Sequence, residues 1–134
     1  MSARDGQQAA ELQNRRVLIV EDEPVVGLLL YDEMVDAGAE AIGPATTLEE
    51  AFWLAEASLV DGGLDAAILD SYLGDECVLP LADWLKERDV PFLFASGYGN
   101  AMERGAHSDA RVLCKPFSSE QLIAATQAVI DRRP

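Results

Sequence analysis

The chain has 134 residues, enough for one domain, and 49% of them are hydrophobic, so a buried core can form. Its 24 acidic side chains against 10 Lys and Arg give a formal net charge of −14, which disfavours nucleic acids and anionic membranes as partners. Residues 1–16 hold no apolar run, and no stretch approaches the roughly 20 apolar residues of a membrane span, so we expect a cytoplasmic protein without a signal peptide.

The first elements in chain order are a polar leader, a strand and a helix. Residues 1–14 are rich in Gln and Ala, and we expect them to form a flexible N-terminal arm ahead of a single domain over 15–134. The short apolar run RVLIV at 16–20 predicts a buried strand. Pro24 suits the first turn of a helix, and Gly38 can end it.

The remainder of the chain continues this alternation of strands and helices. Strands are predicted at residues 39–45, 66–69, 91–95 and 111–114. Helices are predicted after a capping pattern at 47–50, around Val78, Leu81, Ala82 and Leu85, and after a second capping pattern at 118–121. The three glycines of 97–110 predict at most a short, weakly packed helix there. Five strands alternating with helices predict a parallel sheet covered on both faces.

Residues whose side chains can take part in chemistry follow the predicted strands. Glu21 and Asp22 follow the first strand, Asp70 ends the third, Ser96 the fourth, and Lys115 the fifth. Because function in such sheets gathers at the carboxyl ends of the strands, we expect these side chains to converge. Taken singly, each acidic residue could be a helix cap or a turn residue, but five suitable residues at four strand ends rarely arise by chance.

The expected cluster suits phosphoryl chemistry. Three carboxylates in one pocket repel one another, and Mg²⁺, which prefers oxygen ligands, would relieve that repulsion. Asp70 could act as a nucleophile and form an acyl phosphate. Mg²⁺ and Lys115 would supply positive charge to the phosphoryl oxygens, and Ser96 could donate a hydrogen bond to one of them.

Three other residues carry weaker expectations. Cys77 and Cys114 show neither disulfide nor metal-ligand spacing and lie in apolar stretches, so we expect both to be buried thiols. His107 is the only histidine and lies in a polar segment, where we expect it to be solvated.

The segments LIVEDEP, AAILDSYLG, FLFASGYG and CKPF resemble the receiver domains of bacterial two-component response regulators over about residues 15–132. The resemblance implies a flavodoxin-like, doubly wound, five-stranded parallel sheet of order 2-1-3-4-5 with helices on both faces. It also implies that Glu21 and Asp22 form a metal-binding acidic pair, with Asp22 the direct ligand. Asp70 would be the phosphoacceptor and a metal ligand, and the backbone carbonyl of Tyr72 a further ligand.

The same resemblance implies roles on the fourth and fifth strands. Ser96 is similar to the hydroxyl residue that responds to phosphorylation, and Lys115 to the invariant lysine of the family. The segments LGDE and PFLFASGYG are similar to those of alphaproteobacterial single-domain receivers, which carry a Phe-Ala-Thr-Gly motif. In this chain Ser96 stands in place of the Thr of that motif. Many receivers carry Tyr or Phe where this chain has Val112. We expect Tyr98 to serve as the switch aromatic instead, or else to be a surface residue that shields the acyl phosphate.

The resemblance implies a stand-alone switch that catalyses only its own phosphorylation and dephosphorylation. Its phosphoryl donor would be a sensor histidine kinase, of the HWE or a related type, and its output would be protein–protein interaction. A phosphate shuttle or sink that exchanges with a histidine phosphotransferase or kinase would look the same in sequence.

An aspartyl-nucleophile phosphatase is less favoured because Tyr72 stands where a general-acid Asp is needed. A flavin carrier is disfavoured because Glu21, Asp22 and Glu23 would repel phosphate. A receiver that binds partners without phosphorylation is disfavoured because every site residue is of a suitable type.

Overall fold

The computed structural model of the protein describes residues 11–98 and 101–132. Strands and helices alternate over residues 16–70, as the sequence predicts. Their bounds are β1 Arg16–Val20, α1 Pro24–Asp36, β2 Glu40–Ala45, α2 Leu48–Val60, β3 Ala66–Asp70, β4 Tyr72–Leu73, β5 Glu76–Cys77, α3 Leu79–Glu87, β6 Phe92–Ser96, β7 Val112–Cys114 and α4 Ser119–Asp131.

Five of the strands form one parallel sheet in the order β2-β1-β3-β6-β7. Since β6 and β7 are the fourth and fifth strands of this sheet, the predicted order 2-1-3-4-5 is confirmed. Strands β4 and β5 pair with each other as a short antiparallel hairpin, which the sequence did not predict. The hairpin follows β3 directly, and so it lies at the carboxyl edge of the sheet.

The core lies in two layers, one on each face of the sheet. Alternation along β1 sends Leu18 and Val20 to the layer under α2 and α3, and Val17 and Ile19 to the layer under α1 and α4. All four side chains are fully buried, so β1 is a central strand with apolar contacts on both faces.

The helix starts follow the local sequence closely. Pro24 occupies the first turn of α1. At α4, Ser118 accepts from the amide of Gln121 while the Gln121 side chain accepts from the amide of Ser118, a complete capping box. None of the helices in the described residues combines the length and apolar character needed to cross a bilayer.

The start of the packed domain lies earlier than the expected boundary at residue 15. Leu12 is fully buried against α1 and α4, and its amide donates to the Ala37 carbonyl at 3.0 Å. The other part of the expected arm, residues 1–10, lies outside the described residues.

The expectation that His107 is solvated is wrong. Its side chain is buried, its Nε2 lies 2.6 Å from Asp83 Oδ1, and its ring packs edge-on against Phe92 at 5.2 Å. The neighbours of His107 in sequence are polar and gave no indication of these two contacts, which are made to residues distant in the chain. Among the described residues 101–111 there is no α-helix, and turns connect to β7 instead.

The expectation that both cysteines are buried is also wrong. Cys114 is exposed and Cys77 is half-buried. Cys114 ends β7, which is the edge strand of the sheet, and Cys77 lies in the short hairpin outside it. At an edge strand, or in a hairpin outside the sheet, an apolar local sequence does not by itself bury a side chain.

Candidate functional site

Three carboxylates meet at the carboxyl edge of the sheet. Asp70 is the last residue of β3, and Glu21 and Asp22 directly follow β1, its neighbour in the sheet. Each offers a ligand oxygen, and these oxygens all lie within 4.8 Å of one another. Glu21 is almost fully buried, with 1% of its surface exposed. The convergence expected for these residues is therefore present in the fold.

Lys115 brings one positive charge into this acidic cluster. Its Nζ lies 2.8 Å from Glu21 Oε1 and 3.4 Å from Asp70 Oδ1. The backbone fixes the approach, since the Lys115 amide donates to the Ser96 carbonyl at 2.9 Å. The Lys115 ammonium therefore lies between the two carboxylates, closer to the buried carboxylate of Glu21 than to that of Asp70.

The electrostatics of the cluster are unbalanced. Burial, the hydrogen bond with Glu21 and the negative charge of Glu21 together raise the pKa of Asp70 to about 7, against the opposing effects of Lys115 and the Ser71 amide. Burial lowers the pKa of Lys115, but the hydrogen bond to Glu21 and the charges of Asp70 and Glu21 outweigh it, and the net pKa is raised. One ammonium does not offset three neighbouring carboxylates.

The residues present fit a hard divalent cation. With Lys115 included, Glu21, Asp22 and Asp70 leave a formal charge of −2, and their donor atoms are all oxygens, which Mg²⁺ prefers. The backbone orients two of these carboxylates. Asp22 Oδ2 accepts from the Gly74 amide of the hairpin at 2.8 Å, and Glu21 Oε2 accepts from the Glu23 amide at 3.1 Å.

Tyr72, the remaining predicted ligand, begins the β4–β5 hairpin two residues after Asp70. Its side chain is 44% exposed. Its backbone is therefore close in sequence to Asp70, one member of the acidic cluster. The role of its carbonyl as a metal ligand stays a prediction.

Ser96 ends β6 beside Asp70, since Asp70 pairs with Ala95 across the two strands. The Ser96 side chain is fully buried. Its Oγ accepts from the Tyr98 amide at 3.0 Å and lies 3.4 Å from Ser71 Oγ. Ser71 is also buried, and its amide donates to Asp70 Oδ1 at 2.9 Å.

Reasoning from the sequence overlooked Ser71, although a signal was available. The residue after Asp70 on one strand must lie beside the residue after Ala95 on the next, and both residues are serines. The pairing of β3 with β6 was needed to see it.

Tyr98 lies two residues beyond Ser96 with 65% of its surface exposed. Val112 is half-buried on β7 and packs against the core layer under α2 and α3. The exposed ring agrees with a surface position for Tyr98 in this state, and its part in a switch stays a prediction.

Comparisons with known proteins gave strong structural matches, and no family model matches the chain. It is 36% identical to SdrG of Sphingomonas melonis Fr1, with a TM-score of 0.71 over 87% of this chain and 96% of that one. It is 28% identical to the non-phosphorylated HemR receiver domain of Leptospira biflexa, with a TM-score of 0.72 over 87% and 94% of the two chains.

A curated relative matches at lower coverage. The phyllosphere-induced regulator PhyR of Methylorubrum extorquens is 30% identical over 122 residues, which are 89% of this chain and 45% of that protein. The chain thus spans about half the length of this relative.

Proposed function

Because the chain belongs to the receiver domains of response regulators, we propose that Asp70 accepts a phosphoryl group from a sensor histidine kinase in a Mg²⁺-dependent reaction. The observation that carries the proposal is the placement of Asp70 at a strand end, 3.4 Å from the Lys115 ammonium and within reach of two further carboxylates. A partly buried carboxylate so placed is a nucleophile with a cation beside it.

The transfer itself is a single displacement. A carboxylate oxygen of Asp70 attacks the phosphorus of a phosphohistidine, the P–O bond forms as the P–N bond breaks, and the imidazole nitrogen keeps the electron pair and takes up a proton. Bound Mg²⁺, held by Glu21, Asp22 and Asp70, would supply positive charge to the phosphoryl oxygens.

The chain's own groups orient and stabilise the product. The Ser71 amide holds Asp70 Oδ1 in position, and Lys115 lies close enough to turn from Glu21 toward a phosphoryl oxygen. Ser96 lies on the neighbouring strand and would donate its hydroxyl proton to another oxygen. Each of these groups comes from a different strand end, so a new charge at Asp70 would act on several elements at once.

The output of this phosphorylation would be a change in protein–protein binding in the cytoplasm. Exchange of the phosphoryl group with a histidine phosphotransferase or kinase, as a shuttle or sink, would use the same residues. The HWE kinase type expected from the motif has no support among the related proteins and stays a prediction. A phosphatase is disfavoured because Tyr72 cannot act as the general-acid carboxyl group.

The test is intact mass spectrometry after incubation with Mg²⁺ and a small acyl-phosphate donor. The wild-type protein should gain one phosphoryl group, and Asp70→Ala should gain none. Asp75→Ala is the matched control, because Asp75 is an exposed aspartate in the neighbouring hairpin and its loss should change nothing. Equal phosphorylation of wild type and Asp70→Ala would overturn the proposal.

A further inference from the structure

The hydroxyls of Ser71 and Ser96 form a buried pair behind Asp70. The two side chains are 4% and 0% exposed, and their Oγ atoms lie 3.4 Å apart. No other hydrogen bond to the Ser71 hydroxyl occurs within the described residues 11–98 and 101–132. Because a buried hydroxyl without a partner is costly, each serine contributes to keeping the other where it is.

Ser71 is the fixed member of this pair. Its amide donates to Asp70 Oδ1 at 2.9 Å, and its carbonyl accepts from the Val78 amide at 3.1 Å. These bonds tie its backbone to β3 on one side and to the start of α3 on the other. The backbone from which the Ser71 hydroxyl reaches Ser96 is therefore held on both sides.

In its present orientation the Ser96 hydroxyl is directed to partners other than Asp70. Its Oγ is engaged by Ser71 and by the Tyr98 amide, and it makes no hydrogen bond to Asp70 within the described residues. To donate to a phosphoryl oxygen, the Ser96 hydroxyl has to turn away from Ser71. At 3.4 Å the contact is already longer than the usual O–H···O distance, so even a small turn breaks it.

We propose that Ser71 is a positioning residue that holds the Ser96 hydroxyl in its unphosphorylated orientation. The inference rests on the proposed phosphorylation of Asp70. In the unphosphorylated protein the pair is satisfied, whereas in the phosphorylated protein the Ser71 hydroxyl loses its partner. Ser71 therefore biases the equilibrium toward the unphosphorylated arrangement. The free energy of its hydrogen bond to Ser96 adds to what the phosphoryl group must supply to shift that equilibrium.

Removal of this bias should raise the apparent affinity for a phosphoryl mimic. A ligand that binds the minor arrangement binds more tightly in proportion to the population of that arrangement. Loss of one buried hydrogen bond at the weak end of the usual range predicts roughly a two- to fivefold gain for Ser71→Ala. A residue with a packing role alone would not tighten binding when it is truncated.

The experiment is a titration of beryllofluoride in the presence of Mg²⁺, followed by amide chemical shifts, on wild type, Ser71→Ala, Ser96→Ala and the double variant. Ser71→Ala should bind about two- to fivefold more tightly than wild type, by the same hydrogen-bond reasoning. The same substitution should have no effect in the Ser96→Ala background, because the partner is already gone. Ser58→Ala is the control, since Ser58 is a buried serine on α2.

Two outcomes would overturn the inference alone. One is an affinity of Ser71→Ala equal to or weaker than that of wild type, and the other is an undiminished gain in the Ser96→Ala background. Failure of wild type to bind beryllofluoride at all would overturn the proposed function and this inference with it.

Discussion

Replacement of Asp70 by Asn should stabilise the metal-free protein, and more so at high pH than at low pH. In the folded protein the pKa of Asp70 is raised from 3.8 to about 7, first by burial and then by Glu21. The unfolded chain keeps the ordinary value, so the folded protein retains a proton that the unfolded chain has lost. The stability due to this proton is present in full below the ordinary pKa and is lost as pH rises through about 7.

The size of the effect follows from the pKa. At about 1.36 kcal/mol for each pH unit, the loss of stability of the wild type is at most about 4 kcal/mol at about pH 8 and about 2 kcal/mol at about pH 5, and solvent at the partly exposed carboxyl screens part of both. Asn has no proton to lose. After this screening, the gain of Asp70→Asn over wild type should be larger at about pH 8 by about 1 to 2 kcal/mol.

The assay is urea unfolding of both proteins at the two pH values with a chelator present. Asp75→Asn, which removes an exposed carboxylate from the nearby hairpin, is the matched control. A gain of the same size at both pH values, or a net loss of stability at the higher one, would refute the electrostatic reasoning.

Other perturbations test other parts of the structure. Millimolar Mg²⁺ should raise the thermal midpoint of wild type by mass action, and Asp22→Asn should shrink that rise; a wild-type midpoint insensitive to Mg²⁺ would count against the metal site. His107→Ala breaks the contact to Asp83 and should destabilise the protein by roughly 2 kcal/mol and speed amide exchange in 101–111, where unchanged exchange would contradict the anchoring role. If Tyr98 is the switch aromatic, Tyr98→Ala should still be phosphorylated but lose the phosphorylation-dependent shifts of β7 amides; persistence of those shifts would leave it only a shield.

The sheet could be predicted from the sequence because its strands are short apolar runs that end at charged residues or turns. The run 16–20 and the strand that ends at Asp70 have their predicted positions to within a residue. Once the strands were parallel and in order, their ends had to share an edge, and so the approach of Asp70 to Lys115 followed from topology. These features depend on local pattern and on the small number of allowed connections.

The features that escaped prediction depend on contacts between segments distant in the chain. The hairpin of Tyr72–Leu73 and Glu76–Cys77 has two residues a strand, too few to show alternation. The burial of His107 comes from α3 and β6, and the pairing of Ser71 comes from the register between β3 and β6. No local pattern in a single segment carries that information.

The central claim, that Asp70 is the phosphoryl acceptor, is tested most directly by locating the acyl phosphate in the chain. The wild-type protein is incubated with Mg²⁺ and a small acyl-phosphate donor, then reduced with borohydride, which converts an aspartyl phosphate to homoserine, and its peptides are sequenced by mass spectrometry. We expect homoserine at position 70 and at no other aspartate. Homoserine at Asp22 instead, or a phosphorylated protein with an unmodified Asp70, would contradict the claim.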